Sequence, residues 1–159
     1  MTANNVTRML EARKVPFTAL DVPVQKLSAL EVADLLEIPP ETVFKTIVAR
    51  REKGGKPILA LVPATSEVDN KALAAALKEK KVHVTSQAEA EALTGLRAGG
   101  ISPLALLNKG FQVLIDSSAE TLEAMLISGG RWGLQIRLAP KDLAKLTNAR
   151  FVSIANYGA

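Results

Sequence analysis

The 159-residue chain contains no cysteine, which excludes disulfides, thiolate catalysis and cysteine-ligated metals. It has a single histidine, His83. A histidine-rich metal site is therefore impossible, and a Ser-His-Asp triad has little to be built from. His83 sits in Lys81-Val82-His83-Val84-Thr85, where strand alternation sets it opposite the two valines and toward solvent. Aromatic residues are only 4% of the chain, so the core must be aliphatic. No stretch approaches the roughly 20 apolar residues of a membrane span. The start, MTANNVTRMLEARK, lacks the apolar core of a signal peptide. A cytoplasmic location, with no membrane partner, is expected. There is no arginine-rich arm, no phosphate-binding loop ending in Gly-Lys-Ser/Thr and no GxGxxG. Neither a cofactor nor a metal is expected.

What is present is globular. Hydrophobic residues make up 48% and charged residues 23%, a balance that suits one domain spanning residues 1–159. The net charge of +4 would serve either solubility or the approach of a polyanion. A helix is predicted over 4–14, stopped by Pro16, and a strand over 17–22. Ser28 and Glu31 have capping-box spacing ahead of a helix that Pro39-Pro40 ends. Strands over 43–51 and 57–62 flank Lys53-Gly54-Gly55-Lys56 and form a hairpin. Asp69 caps a helix running to about Leu77, a short strand covers 82–85, and Ser86 with Glu89 opens a helix ending near Gly95. Further strands are predicted over 112–115, ending at Asp116, and over 125–128, 134–138 and 151–154. A helix starts at Pro140 and reaches Leu146, and 156–159 form a tail. Helices and hairpins mix without βαβ alternation. That pattern predicts an α/β (α+β) fold with a mixed, largely antiparallel sheet flanked by helices.

Three features could carry chemistry. Lys45, in Val43-Phe44-Lys45-Thr46-Ile47-Val48, shares a strand face with Val43, Ile47 and Ala49. Such a lysine either guards a sheet edge or points into a polar pocket, where its ammonium can stabilise developing negative charge. Gly99-Gly100-Ile101-Ser102-Pro103 is either a tight structural loop or a place where backbone N–H groups meet a ligand. Ser128-Gly129-Gly130 is either a hairpin turn or part of the same pocket wall. Asp69 reads as a helix cap and Asp116 as a strand end.

In combination, Phe44-Lys45-Thr46, Gly99 to Pro103, and Ser128-Gly129-Gly130 followed by Gly133-Leu134 resemble the YbaK family of aminoacyl-tRNA deacylases. The resemblance runs from about Asn4 to Ile154. It implies a partly barrel-like sheet with surrounding helices. It also implies a freestanding trans-editing enzyme that cleaves the ester of mischarged tRNA, with cysteine or another small amino acid on tRNA(Pro) or another tRNA. The alternative is a non-catalytic module that binds aminoacyl-tRNA or a nucleotide beside a synthetase. Mischarged tRNA is the implied partner, with prolyl-tRNA synthetase a candidate second. The family uses no protein nucleophile: the substrate's own thiol, water or a tRNA hydroxyl attacks. By resemblance, Lys45, Gly100 and Ser102 are the catalytic positions. Phe44, Thr46, Gly99, Ile101, Pro103, Ser128, Gly129, Gly130 and Gln135 bind substrate. The chain departs from the cysteine-specific type in carrying Gln135 in place of aspartate and Trp132 in place of a basic residue. Leu20-Asp21-Val22-Pro23 replaces a stretch that often bears an aromatic or histidine. Trp132 could stack on a base or ribose, or pack on the surface.

Overall fold

A computed structural model of the chain describes residues 4–157. In chain order its elements are α1 (Asn5–Ala12), β1 (Thr18–Asp21), α2 (Ala29–Leu36), β2 (Phe44–Arg51), β3 (Ile58–Pro63), β4 (Glu67–Val68), α3 (Asn70–Ala76), β5 (Val82–Val84), α4 (Gln87–Thr94), β6 (Gln112–Asp116), β7 (Met125–Ser128), β8 (Leu134–Leu138), α5 (Pro140–Thr147), β9 (Arg150–Val152) and β10 (Ala155–Asn156), with short 3-10 turns between some of them. The strands form a five-stranded sheet in the order β5-β2-β3-β6-β9, a three-stranded sheet β1-β8-β7 and the small pair β10-β4. Pairing is antiparallel except at β3–β6 and β6–β9, which are parallel. The sheet is thus mixed and largely antiparallel, as expected.

β3, ILALVP, is buried at every residue. A strand covered on both faces reads as one apolar run instead of alternating. On one face Leu73 and Ala74 of α3, with its C-cap Leu77, join a core with Ala49, Ile58, Ala60, Val62 and Leu114. On the other, Phe44, Val48, Leu59, Leu61, Val113 and Ile115 pack against Met125, Ile127, Leu134, Ile136 and Leu138 of the smaller sheet. The two sheets touch edge to edge where Val43 bridges Leu126. This near-closure is the partly barrel-like feature.

Local signals hold up well. Ser28 with Glu31, and Ser86 with Glu89, form reciprocal capping boxes, and Asp69 accepts from the Ala72 N–H. The β2–β3 turn carries Gly54 at φ 81° and Gly55 at φ 109°. Three expectations need correction. α2 stops at Leu36, before the proline pair, because Glu37 turns left-handed at φ 54°. The last strand ends at Val152 and does not reach Ile154. Asp116 causes this break: its Oδ1 accepts the N–H groups of Ile154 and Ala155, each at 3.0 Å, and pulls the chain off the sheet. The freed segment pairs as β10 with β4, so Asn156 belongs to a strand and not to a tail; residues 158 and 159 lie outside the described residues. Tyr157 donates its hydroxyl to Asp116 Oδ2 at 2.8 Å. Burial pushes the Asp116 carboxyl up, but hydrogen bonds from Ser118, Ile154 and Tyr157 together outweigh it, and the group sits below its ordinary value.

Candidate active site

β5 pairs with β2 only at Ala49–Arg51. Between that pairing and the bridge of Val43 to Leu126 of β7, the outer edge of β2 has no paired strand beside it. A cleft of about 430 Å³ opens there. Its walls are the segment Lys26–Ala29 and the start of α2, the run Val84–Gln87 entering α4, and Ala98, Gly99 and Ile101; Ser128 and Gln135 also line it. The end of the open edge is closed by Thr85, whose N–H and Oγ1 both reach the Val48 carbonyl, at 3.0 and 3.1 Å. Strand alternation then turns the Thr46 N–H and C=O toward the same open side as Val48. These backbone groups face the cleft, a feature that side-chain reasoning missed. The signal for it was the shortness of the predicted partner strand.

Lys45 lines the cleft with its side chain 24% exposed. Its Nζ lies 3.0 Å from Glu67 Oε1, on a side chain 81% exposed. Glu67 is the first residue of β4 and is held in register opposite Asn156 of β10. The catalytic candidate is thus tethered through a counter-charge that nothing in the sequence connects to it.

The predicted site residues divide. Phe44, Lys45, Thr46, Gly99, Ile101, Ser128 and Gln135 meet at the cleft. Gly100, Ser102, Pro103, Gly129 and Gly130 stand behind it. Ser102 is fully buried, and its Oγ accepts from the Leu104 N–H at 3.2 Å, capping the turn that Pro103 begins. The Gly100 N–H donates to the Arg97 carbonyl, the Gly129 N–H to Leu134 and the Gly130 N–H to Ser128 Oγ. These glycines bring backbones close together. A Cβ on Gly100 would lie 3.1 Å from the Arg131 backbone, and one on Gly129 would lie 2.6 Å from Leu134 Cγ. Gln135 is only 6% exposed and turns to the cleft from β8, beside Ser128 in the β7 register.

No side chain lining the cleft is a prepared nucleophile–base pair. Ser28 and Ser86 are helix caps, Ser128 Oγ accepts from Gly130, and Thr85 bonds Val48. His83 lies outside the cleft, half-buried, with Nε2 3.6 Å from Glu52. Its expected neighbours differ from each other: Val82 is buried in the α3 core, whereas Val84 is 45% exposed and lines the cleft. The strand ends at Val84, beyond the reach of α3. Among the described residues no cluster of histidine and carboxylate ligands could hold a metal. Among these residues no helix is long and apolar enough to cross a membrane.

Comparison with known proteins matches residues 24–146 to the aminoacyl-tRNA editing domain, a span that contains every residue lining the cleft. The chain belongs to the aminoacyl-tRNA editing domain family. An Enterococcus faecalis protein assigned by name as a Cys-tRNA(Pro)/Cys-tRNA(Cys) deacylase, EbsC, is 38% identical over 152 residues, covering 94% of this chain and 92% of that one. A proline–tRNA ligase of Kosmotoga olearia is 26% identical over 103 residues, which are 65% of this chain but 17% of the ligase. Among solved structures, one described as a trans-editing enzyme for prolyl tRNA synthetase superposes with a TM-score of 0.81 at 22% identity, over 98% of this chain and 99% of that one. A protein named APE2540 gives 0.87 at 20% identity, over 96% and 100%. At such identities the two structures speak for the editing-domain fold. In this editing domain the cleft beside β2 brings together residues from all three sequence motifs.

Proposed function

We propose that the protein is a trans-editing aminoacyl-tRNA deacylase that removes a small amino acid, cysteine first among the candidates, from mischarged tRNA. The observation that carries this reading is Lys45 in a cleft with no prepared protein nucleophile, within a chain of the editing family. The lining leaves the enzyme one means of catalysis, which is to position the ester and stabilise the charge that develops on its carbonyl oxygen. The Lys45 ammonium and the outward N–H of Thr46 are two donors within the cleft for that oxygen. The attacking group comes from solvent or substrate. With water, the acyl–oxygen bond breaks to give the free amino acid and the terminal tRNA hydroxyl. With cysteine, the substrate thiol attacks its own carbonyl and leaves as a thiolactone, and the same tRNA hydroxyl departs with a proton.

The cleft selects by size. One methylene is worth roughly 1–3 kcal/mol in an apolar pocket, so larger cognate amino acids are excluded by clash with Phe44, Val32 and Ile101 more than by weak binding. Work alongside prolyl-tRNA synthetase belongs to the same proposal, supported by the likeness to part of a proline–tRNA ligase. The test is release of radiolabelled amino acid from a panel of mischarged tRNAs, starting with Cys-tRNA(Pro). Mass analysis of the product distinguishes free cysteine from thiolactone. No release from any member of the panel overturns the proposal.

A further inference from the structure

Beside Gly99, which lines the cleft, Trp132 is not a free aromatic face. The Arg97 guanidinium lies over its ring, 3.7 Å from the centroid. The indole Nε1 donates to the Ala98 carbonyl at 2.9 Å, which fixes the plane of the ring. Arg97 itself is exposed. Ala98 and Gly99, the next two residues, line the cleft. Gly99 holds φ 89° and leaves no side chain at this point; a Cβ there would meet Lys26 Cγ at 3.2 Å and Trp132 Nε1 at 3.3 Å. Lys26 thus also stands beside Gly99, with Nζ donating to the neutral Gln87 Oε1 at 2.7 Å.

Lys45, Arg50 and Arg51 are each paired with a carboxylate. Among the described residues neither Arg97 nor Lys26 has such a partner. A planar guanidinium held over an indole, and an ammonium on a side chain beside the same glycine, offer one surface for stacking and one charge for an anion. A nucleotide carries both complements. Its base stacks on arginine, and its phosphate meets the lysine. Because the Trp132 plane is already fixed, little ordering cost remains when the base arrives.

We propose that Arg97, stacked on Trp132, forms with Lys26 a nucleotide subsite beside the cleft that takes the terminal nucleoside monophosphate of the acylated RNA. The identity of this ligand rests on the deacylase reading, in which the ester in the cleft is attached to that same nucleotide. Trp132 is the chain's one tryptophan, so its fluorescence reports on the subsite directly.

The experiment uses an uncharged RNA hairpin ending in CCA and the same hairpin lacking the terminal adenosine. Binding is followed by Trp132 emission and by anisotropy of labelled RNA. The full hairpin is expected to change the emission saturably. Arg97→Ala is expected to weaken its binding about tenfold, the loss expected for one stacked base. Arg97→Lys keeps the charge but not the plane, and is expected to fall with Arg97→Ala. The shortened hairpin is expected to bind both proteins equally and leave the emission unchanged. Lys26→Ala is expected to reduce the salt dependence by about one phosphate contact. Equal affinity of wild type and Arg97→Ala for the full hairpin overturns the proposal, as does an emission change with the shortened one. An uncharged hairpin cannot be deacylated, so this result is independent of the panel that tests the activity.

Discussion

Replacing Lys45 with alanine separates the two roles that a lysine on a strand can have. The substitution removes an ion pair to Glu67, whose side chain is 81% exposed. Such a pair contributes about 0–1 kcal/mol, since solvent screens it and both side chains lose freedom in making it. For a chain of this size that corresponds to a fall in Tm of at most about 4 °C. If Lys45 stabilises the carbonyl oxygen, its loss resembles that of an oxyanion donor and lowers kcat by about 100- to 1000-fold, or ~2.7–4 kcal/mol. Glu67→Ala is the matched control. It deletes the same ion pair but touches no wall of the cleft, so it reproduces the small stability change and keeps most of the activity. The assay is single-turnover release from the best substrate of the mischarged panel, alongside thermal melting of all three proteins. A kcat for Lys45→Ala within about threefold of wild type refutes the catalytic assignment. Equal losses in Lys45→Ala and Glu67→Ala refute the division of roles.

Gly100→Ala forces a Cβ to 3.1 Å from the Arg131 backbone, so the two loops must part; activity is expected to fall more than about tenfold while the melting point moves by a few degrees, read by kinetics and melting together. Gly129→Ala places its Cβ 2.6 Å from Leu134 Cγ, in a fully buried side chain, and is expected to cost about 1–3 kcal/mol in denaturant unfolding. Asp116→Asn removes a charge that accepts from Ile154, Ala155, Ser118 and Tyr157, and is expected to cost about 1–3 kcal/mol at neutral pH. Because the folded Asp116 pKa is lowered, its contribution is complete above the ordinary aspartate value and disappears as pH falls through the lower folded one. The melting curves of wild type and Asp116→Asn should therefore converge in acid, and a constant gap refutes the account.

The amino-acid sequence alone determined most of the elements and the order of the motifs. Capping boxes at Ser28 and Ser86, the cap at Asp69, the Gly54-Gly55 turn and the apolar run of β3 are written within a few residues, and backbone hydrogen bonding at that range needs no distant partner. Lys45 on its strand, the absence of cysteine and the single histidine were equally plain, and they removed most catalytic schemes. Tertiary structure decided the rest. The cleft exists because β5 covers only the far end of β2, a matter of pairing register between segments more than thirty positions apart. The glycine pairs were legible as special backbone, but whether their N–H groups were free depended on Arg97, Leu134 and Ser128. The counter-charge of Lys45 comes from Glu67, 22 residues away, and the partner of Trp132 Nε1 from Ala98, 34 away. Side-chain charge and shape are properties of a residue, whereas exposure, register and the partner of a polar group belong to the packed chain. That difference turned Trp132 from a free stacking surface into the support beneath Arg97.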